Sequence, residues 1–164
     1  MLLNNYSFTK NKEINTLILL VLFSVSIRIP VVFVYGDAGL EFEWKFLVEN
    51  LIEYKQLGWK NCEFAYSVTT VCLEDGFLLP NLWMPPLYAY YLYLFSFLNL
   101  ELHNYINVVL FSQALLAAVS VAIFYKINKI FFSQKVSFYS SLIFSFFPIH
   151  AYACSQISSI SLQT

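Results

Sequence analysis

Four apolar runs, interrupted by one long acidic stretch, leave this chain few folds to choose from. The first extends from Ile14 to Tyr35. At about 1.5 Å of rise per residue, a helix of that length crosses a hydrocarbon core of about 30 Å. The others cover 86–100, 104–125 and 136–152. The chain is 59% hydrophobic and only 12% charged, whereas a soluble domain is roughly 25% charged. Too few polar residues remain to cover a water-facing surface. The sequence therefore reads as an all-α membrane protein with about four transmembrane helices and a long first outer loop containing an interfacial helix. Its 17 Phe and 12 Tyr suit lipid-facing and headgroup-level positions. The net charge of −1 gives no electrostatic footprint for nucleic acid, so membrane lipid is the expected partner.

Residues 1–13 read as a cytoplasmic lead to the first span, 14–35. Lys10 and Lys12 before an apolar run also fit a signal peptide, with Ser24-Val25-Ser26 at a cleavage position. Hydrophobicity that continues to Tyr35 favours a retained span.

The outer loop, 36–85, holds most of the chain's 10 acidic residues. Leu40, Trp44, Leu47, Val48, Leu51 and Tyr54 fall at helical spacing on one face. Glu43, Glu49, Asn50 and Glu53 fall mostly on the other. The pattern predicts a helix in the membrane interface, with Gly58 as its stop. From Lys60 to Gly76 the pattern is irregular and reads as exposed loop. Cys62 and Cys72 lie there, as a disulfide if the loop faces an oxidising compartment, or as two free thiols. Cys154 reads as a packing residue. No CxxC or Cys/His spacing occurs, so the sequence supplies no metal site of its own. No cofactor is expected, and a need for a divalent metal stays open.

No charge occurs between Gly76 and Leu100. Paired prolines suit a helix entry, so the second span is expected to begin at Pro86, after a dip at the interface. In the third span Ala114, Ala117, Ala118 and Ser120 offer small side chains for close helix packing. Pro148 lies near the end of the fourth, and 153–164 reads as a truncated tail.

An acid just outside a span, under a folded loop, is a candidate functional group. Here it is Asp37, in the turn made by Gly36. A carboxylate within hydrogen-bond reach of a hydroxyl can take its proton. Glu41 follows about one helical turn on. It would raise the basicity of Asp37 by like-charge proximity, or help hold an acceptor. Arg28, near the end of the first span, would snorkel to pair with Asp37 or with a phosphate.

Three stretches carry a resemblance. They are Arg28 with Gly36-Asp37 and Glu41-Phe42; Asn81-Leu82-Trp83-Met84-Pro85-Pro86-Leu87-Tyr88; and Phe124-Tyr125 to Phe131-Phe132-Ser133, followed by Phe147-Pro148 and Ser155-Gln156. In this order they resemble the amino-terminal part of a C-superfamily membrane glycosyltransferase. The dolichyl-phosphate-mannose–protein mannosyltransferase-like and aminoarabinose-transferase-like families are the most similar. The resemblance implies a polyprenyl-phosphate-linked sugar donor and a lipid, glycan or protein acceptor. It also implies a multi-pass inner-membrane protein whose first loop is periplasmic, with the first-loop aspartate, Asp37, as general base. Family members are longer and have more spans. The chain is therefore expected to be an amino-terminal fragment, with a second chain supplying the missing spans. The competing expectation is a non-catalytic membrane subunit that scaffolds a partner protein.

Two expectations about sidedness conflict. Four spans put Lys45, Lys55, Lys60, Lys126, Lys129 and Lys135 on the side of the acidic loop, against Lys10 and Lys12 on the other. Positive charge favours the cytoplasm, which argues for a cytoplasmic acidic loop. The resemblance argues for an outer one.

Overall fold

The computed structural model describes residues 2–40, 42–59, 79–80 and 85–159. Glu41, Cys62 and Cys72 lie outside the described residues, and so do the exposed loop expected at 60–76 and, apart from 79–80, the dip expected at 78–84. The described residues are helical almost throughout. The helices are α1 (Leu2–Tyr35), α2 (Phe42–Tyr54), α3 (Pro86–Ser96), α4 (Leu102–Phe131), α5 (Gln134–Phe146) and α6 (Pro148–Ala153). One two-residue ladder joins β1 (Gly58–Trp59) to β2 (Leu79–Pro80), antiparallel, with Gly58 opposite Pro80. Among the described residues, two helical stretches are long and apolar enough to cross a membrane: Glu13–Tyr35 within α1, and α4.

The chain divides into two compact units, Met1–Asp37 with Leu110–Thr164, and Ala38–Val109. In the first, α1 and α4 run antiparallel. Glu13 pairs with Lys129 at 2.8 Å, and Leu20 shares a buried cluster with Val121 and Tyr125. The Phe33 and Phe111 rings meet at 5.5 Å. A Cβ on Gly36 would come within 3.0 Å of Leu110. Each contact further along α1 lies further back along α4. By contrast α5 runs with α1. Phe138 and Leu142 pack on the same cluster as Leu17, the Phe23 and Phe146 rings lie 5.2 Å apart, and Tyr35 meets Tyr152 at 6.4 Å. The result is an up-down-up arrangement of three helices.

Small side chains line the buried faces of two of these helices. On α4 the alanines Ala114, Ala117 and Ala118 are buried. On α5 the buried face is Ser137, Ser141 and Ser145. Each hydroxyl donates to the carbonyl four residues earlier, at 3.0, 2.8 and 2.9 Å. The stripe is thus polar in composition yet satisfied within its own helix.

In the second unit, Trp44, Leu47, Val48 and Leu51 of α2 are buried, as are Tyr88, Ala89 and Leu92 of α3. The Trp44 and Tyr88 rings meet edge to face at 4.7 Å. The Tyr105 hydroxyl, on the first turns of α4, donates to the Leu92 carbonyl at 2.8 Å.

Several boundaries differ from the sequence expectations. Where 86–100 was expected to cross, α3 has 11 residues, a rise of about 16 Å, roughly half a hydrocarbon core. The third apolar run, expected at 104–125, is the longer α4. The fourth, expected at 136–152, is two helices broken at Phe147, whose φ of −62° and ψ of 114° are extended. Pro148 disfavours helical backbone at the residue before it, and itself opens α6. α2 ends at Tyr54 rather than at Gly58, because Lys55 takes φ of 57°. Asn50, expected on the polar face, is buried and donates to the Gly58 carbonyl at 2.8 Å.

Candidate functional site

Asp37 follows the last turn of α1. Gly36 closes that turn, its N–H donating to the Val32 carbonyl at 2.8 Å. Any Cβ at Gly36 would overlap the Val32 carbonyl oxygen and touch the end of the Leu110 side chain, so the preceding turn of α1 itself selects glycine here. The Asp37 N–H donates to the Ser155 carbonyl at 3.1 Å. Its carboxylate accepts the Ile157 N–H on Oδ2 at 2.6 Å. The Gln156 side chain donates to the Tyr35 carbonyl at 2.9 Å, satisfying one of the acceptors that a helix end leaves open. Three consecutive residues after α6 thus clasp the end of α1. The turn that presents them is short: the Ser155 N–H donates to the Tyr152 carbonyl at 2.9 Å. Among the described residues, no cation pairs with Asp37, and Oδ1 has no hydrogen-bond partner.

Arg28 sits elsewhere. It is 1% exposed, so it does not snorkel. Its Nη1 donates to the Ser24 hydroxyl, to the Ser24 carbonyl at 3.3 Å and, at a long 3.5 Å, to the Ser145 carbonyl of α5. Nε is buried without a partner. The expected bond to Asp37 is not formed. Along α1 the two residues are about 13 Å apart, and the guanidinium turns toward α5 instead. Among the described residues the ion pairs are Lys45–Glu49 and Lys129–Glu13, so no carboxylate neutralises Arg28. A buried cation held only by neutral oxygens is costly, more so in hydrocarbon.

Of the sequence candidates, the structure thus places Asp37 at a built junction and Arg28 within the helix packing. It does not bring them together. The residues that sequence reasoning missed are Ser155, Gln156 and Ile157. The tail offered no nucleophile or base pattern, and nothing local signals that it would fold back on Asp37. His150 is also in this region, its ring 4.9 Å from Phe144 and 5.2 Å from Phe147, with Nδ1 buried and unpartnered. Among the described residues no group of His, Cys, Asp and Glu could hold a metal ion.

These features define a helical protein with, among the described residues, two helices suited to crossing a membrane and a clasped carboxylate at the end of the first. No protein-family model, curated protein or solved structure matches the chain.

Proposed function

We propose that the chain is a multi-pass membrane protein of the glycosyltransferase kind. It would move a sugar from a polyprenyl-phosphate-linked donor to a lipid, glycan or protein acceptor, on the periplasmic face of an inner membrane. In this reading α1, α4 and the α5–α6 pair cross the bilayer, the last as one broken span, and α2 lies in the interface. The order of motifs along the sequence supports the reading. The observation that carries it is the Asp37 carboxylate, anchored on Oδ2 by the Ile157 N–H and, among the described residues, without a hydrogen-bond partner on Oδ1. A base needs that combination, since one oxygen must be fixed while the other meets the acceptor hydroxyl. The hydroxyl proton passes to Oδ1. The hydroxyl oxygen bonds to the anomeric carbon, and the bond from that carbon to the phosphate oxygen breaks, the phosphate leaving with the electron pair. A second chain would complete the donor surface, and Glu41 would help hold the acceptor. Arg28 takes no phosphate in this scheme, because its guanidinium is committed between α1 and α5.

A non-catalytic subunit that scaffolds a partner is the second reading, favoured by the same bond seen differently: Asp37 is already engaged in a structural clasp. Two substitutions separate them. Asp37→Asn keeps an oxygen to accept the Ile157 N–H but loses the base, whereas Asp37→Ala loses both. Transfer from a radiolabelled polyprenyl-phosphate sugar, measured in native membranes at matched protein level, should fall by about 100-fold or more in both variants. Full transfer in Asp37→Asn would remove the base assignment and leave the clasp.

A further inference from the structure

We propose that residues 38–109 stay wholly on the Asp37 side of the membrane, and that α3 docks by an apolar stripe into the lipid leaflet there. The inference stands apart from the transferase reading.

The first support is parity. α1 and α4 are antiparallel, and Gly36 lies against Leu110 while Glu13 lies against Lys129. If both helices cross, the chain leaves the bundle after Gly36 and returns at Leu110 on the same side. The number of crossings between is then even, and one span at 86–100 cannot exist. The second support is length. α3 has 11 residues, too few to cross.

What α3 presents is the third support. Its inner face packs Tyr88, Ala89 and Leu92 within its own unit. Its outer face shows Leu87, Tyr90, Leu94 and Phe97, exposed by 72, 51, 62 and 64%. These fall at helical spacing on one stripe. Gly76 to Leu100 contains no charge. The 38–109 segment leaves directly after α1 and runs without a break into α4 at Leu102, so both its ends are held at the crossing helices and the leaflet is the apolar phase within reach. A short helix with an apolar face and an aromatic rim suits half-immersion in it.

The lysines now agree. With three crossings, Lys10, Lys12, Lys126, Lys129 and Lys135 share one side, against Lys45, Lys55 and Lys60 on the side of Asp37. Positive charge then puts the acidic loop outside.

The test uses single cysteines in a chain carrying Cys62→Ser, Cys72→Ser and Cys154→Ser. Gln56→Cys and Glu101→Cys should react with an impermeant maleimide in intact cells, and Gln134→Cys only after permeabilisation. Glu101→Cys on the opposite side from Gln56→Cys overturns the inference. A spin label at Leu94→Cys, with the protein in liposomes of phosphatidylethanolamine and phosphatidylglycerol, should collide with oxygen well above a water-soluble nickel chelate. Nickel access equal to that at Glu101→Cys would put the stripe in water. Low access to both reagents would put a protein there. Either result overturns the docking.

Discussion

Gly36, Asp37 and Arg28 show how much one side chain decides here. Gly36→Ala would set a methyl against the Val32 carbonyl and Leu110, and overpacking of that kind costs about 1–3 kcal/mol. A lowered thermal midpoint in detergent, with the protein still inserted, is the expected result. Arg28→Met should behave in the opposite way. The cation has no carboxylate partner among the described residues, and replacing buried charge by an apolar chain of similar volume is often neutral or stabilising by about 1–4 kcal/mol. A clear fall in the thermal midpoint would show that the bonds to Ser24 and Ser145 outweigh the desolvation. Asp37 stood out in the sequence as an acid directly after an apolar run. Its partners did not, since Ile157 lies 120 positions away and a backbone N–H leaves no mark in a sequence. The inward turn of Arg28 was equally hidden, because snorkelling and burial ask for the same residue.

At the scale of elements, the α1–α5 contact depends on short side chains. Ser141 is fully buried and its hydroxyl bonds back to the Ser137 carbonyl at 2.8 Å. Ser141→Ala therefore leaves no partner stranded and should be near neutral. Ser141→Leu should destabilise by about 1–3 kcal/mol through overpacking, read as a lower midpoint relative to Ser141→Ala. The long helices were legible because an unbroken apolar run has one stable form in a bilayer. The break at Phe147 was less so. Pro148 was visible, but apolar residues continue on both sides of it and hide the extended residue between two helices. α3 misled for the same reason. Apolar sequence continues past Ser96, yet the helix stops there and Asn99 takes φ of 48°.

Across the whole molecule, hydropathy reports that helices exist but not which way they run. Direction came from pairs such as Glu13 with Lys129 and Phe33 with Phe111, which no local pattern encodes. Cross-linking checks it directly. Phe33→Cys with Phe111→Cys should join under mild oxidation, and Phe33→Cys with Lys129→Cys should not. Reversal of that outcome would mean a parallel α1–α4 pair. With the three crossings proposed above, the lysine distribution and the resemblance point to the same sidedness. The clasp also sets an order of events during synthesis. Asp37 leaves the ribosome early, yet the amide that holds its carboxylate belongs to Ile157, which is translated after both α4 and α5. Until then the carboxylate is unheld, so a nascent chain arrested before Ser155 should carry an Asp37 loop far more open to protease than the same loop in the released protein.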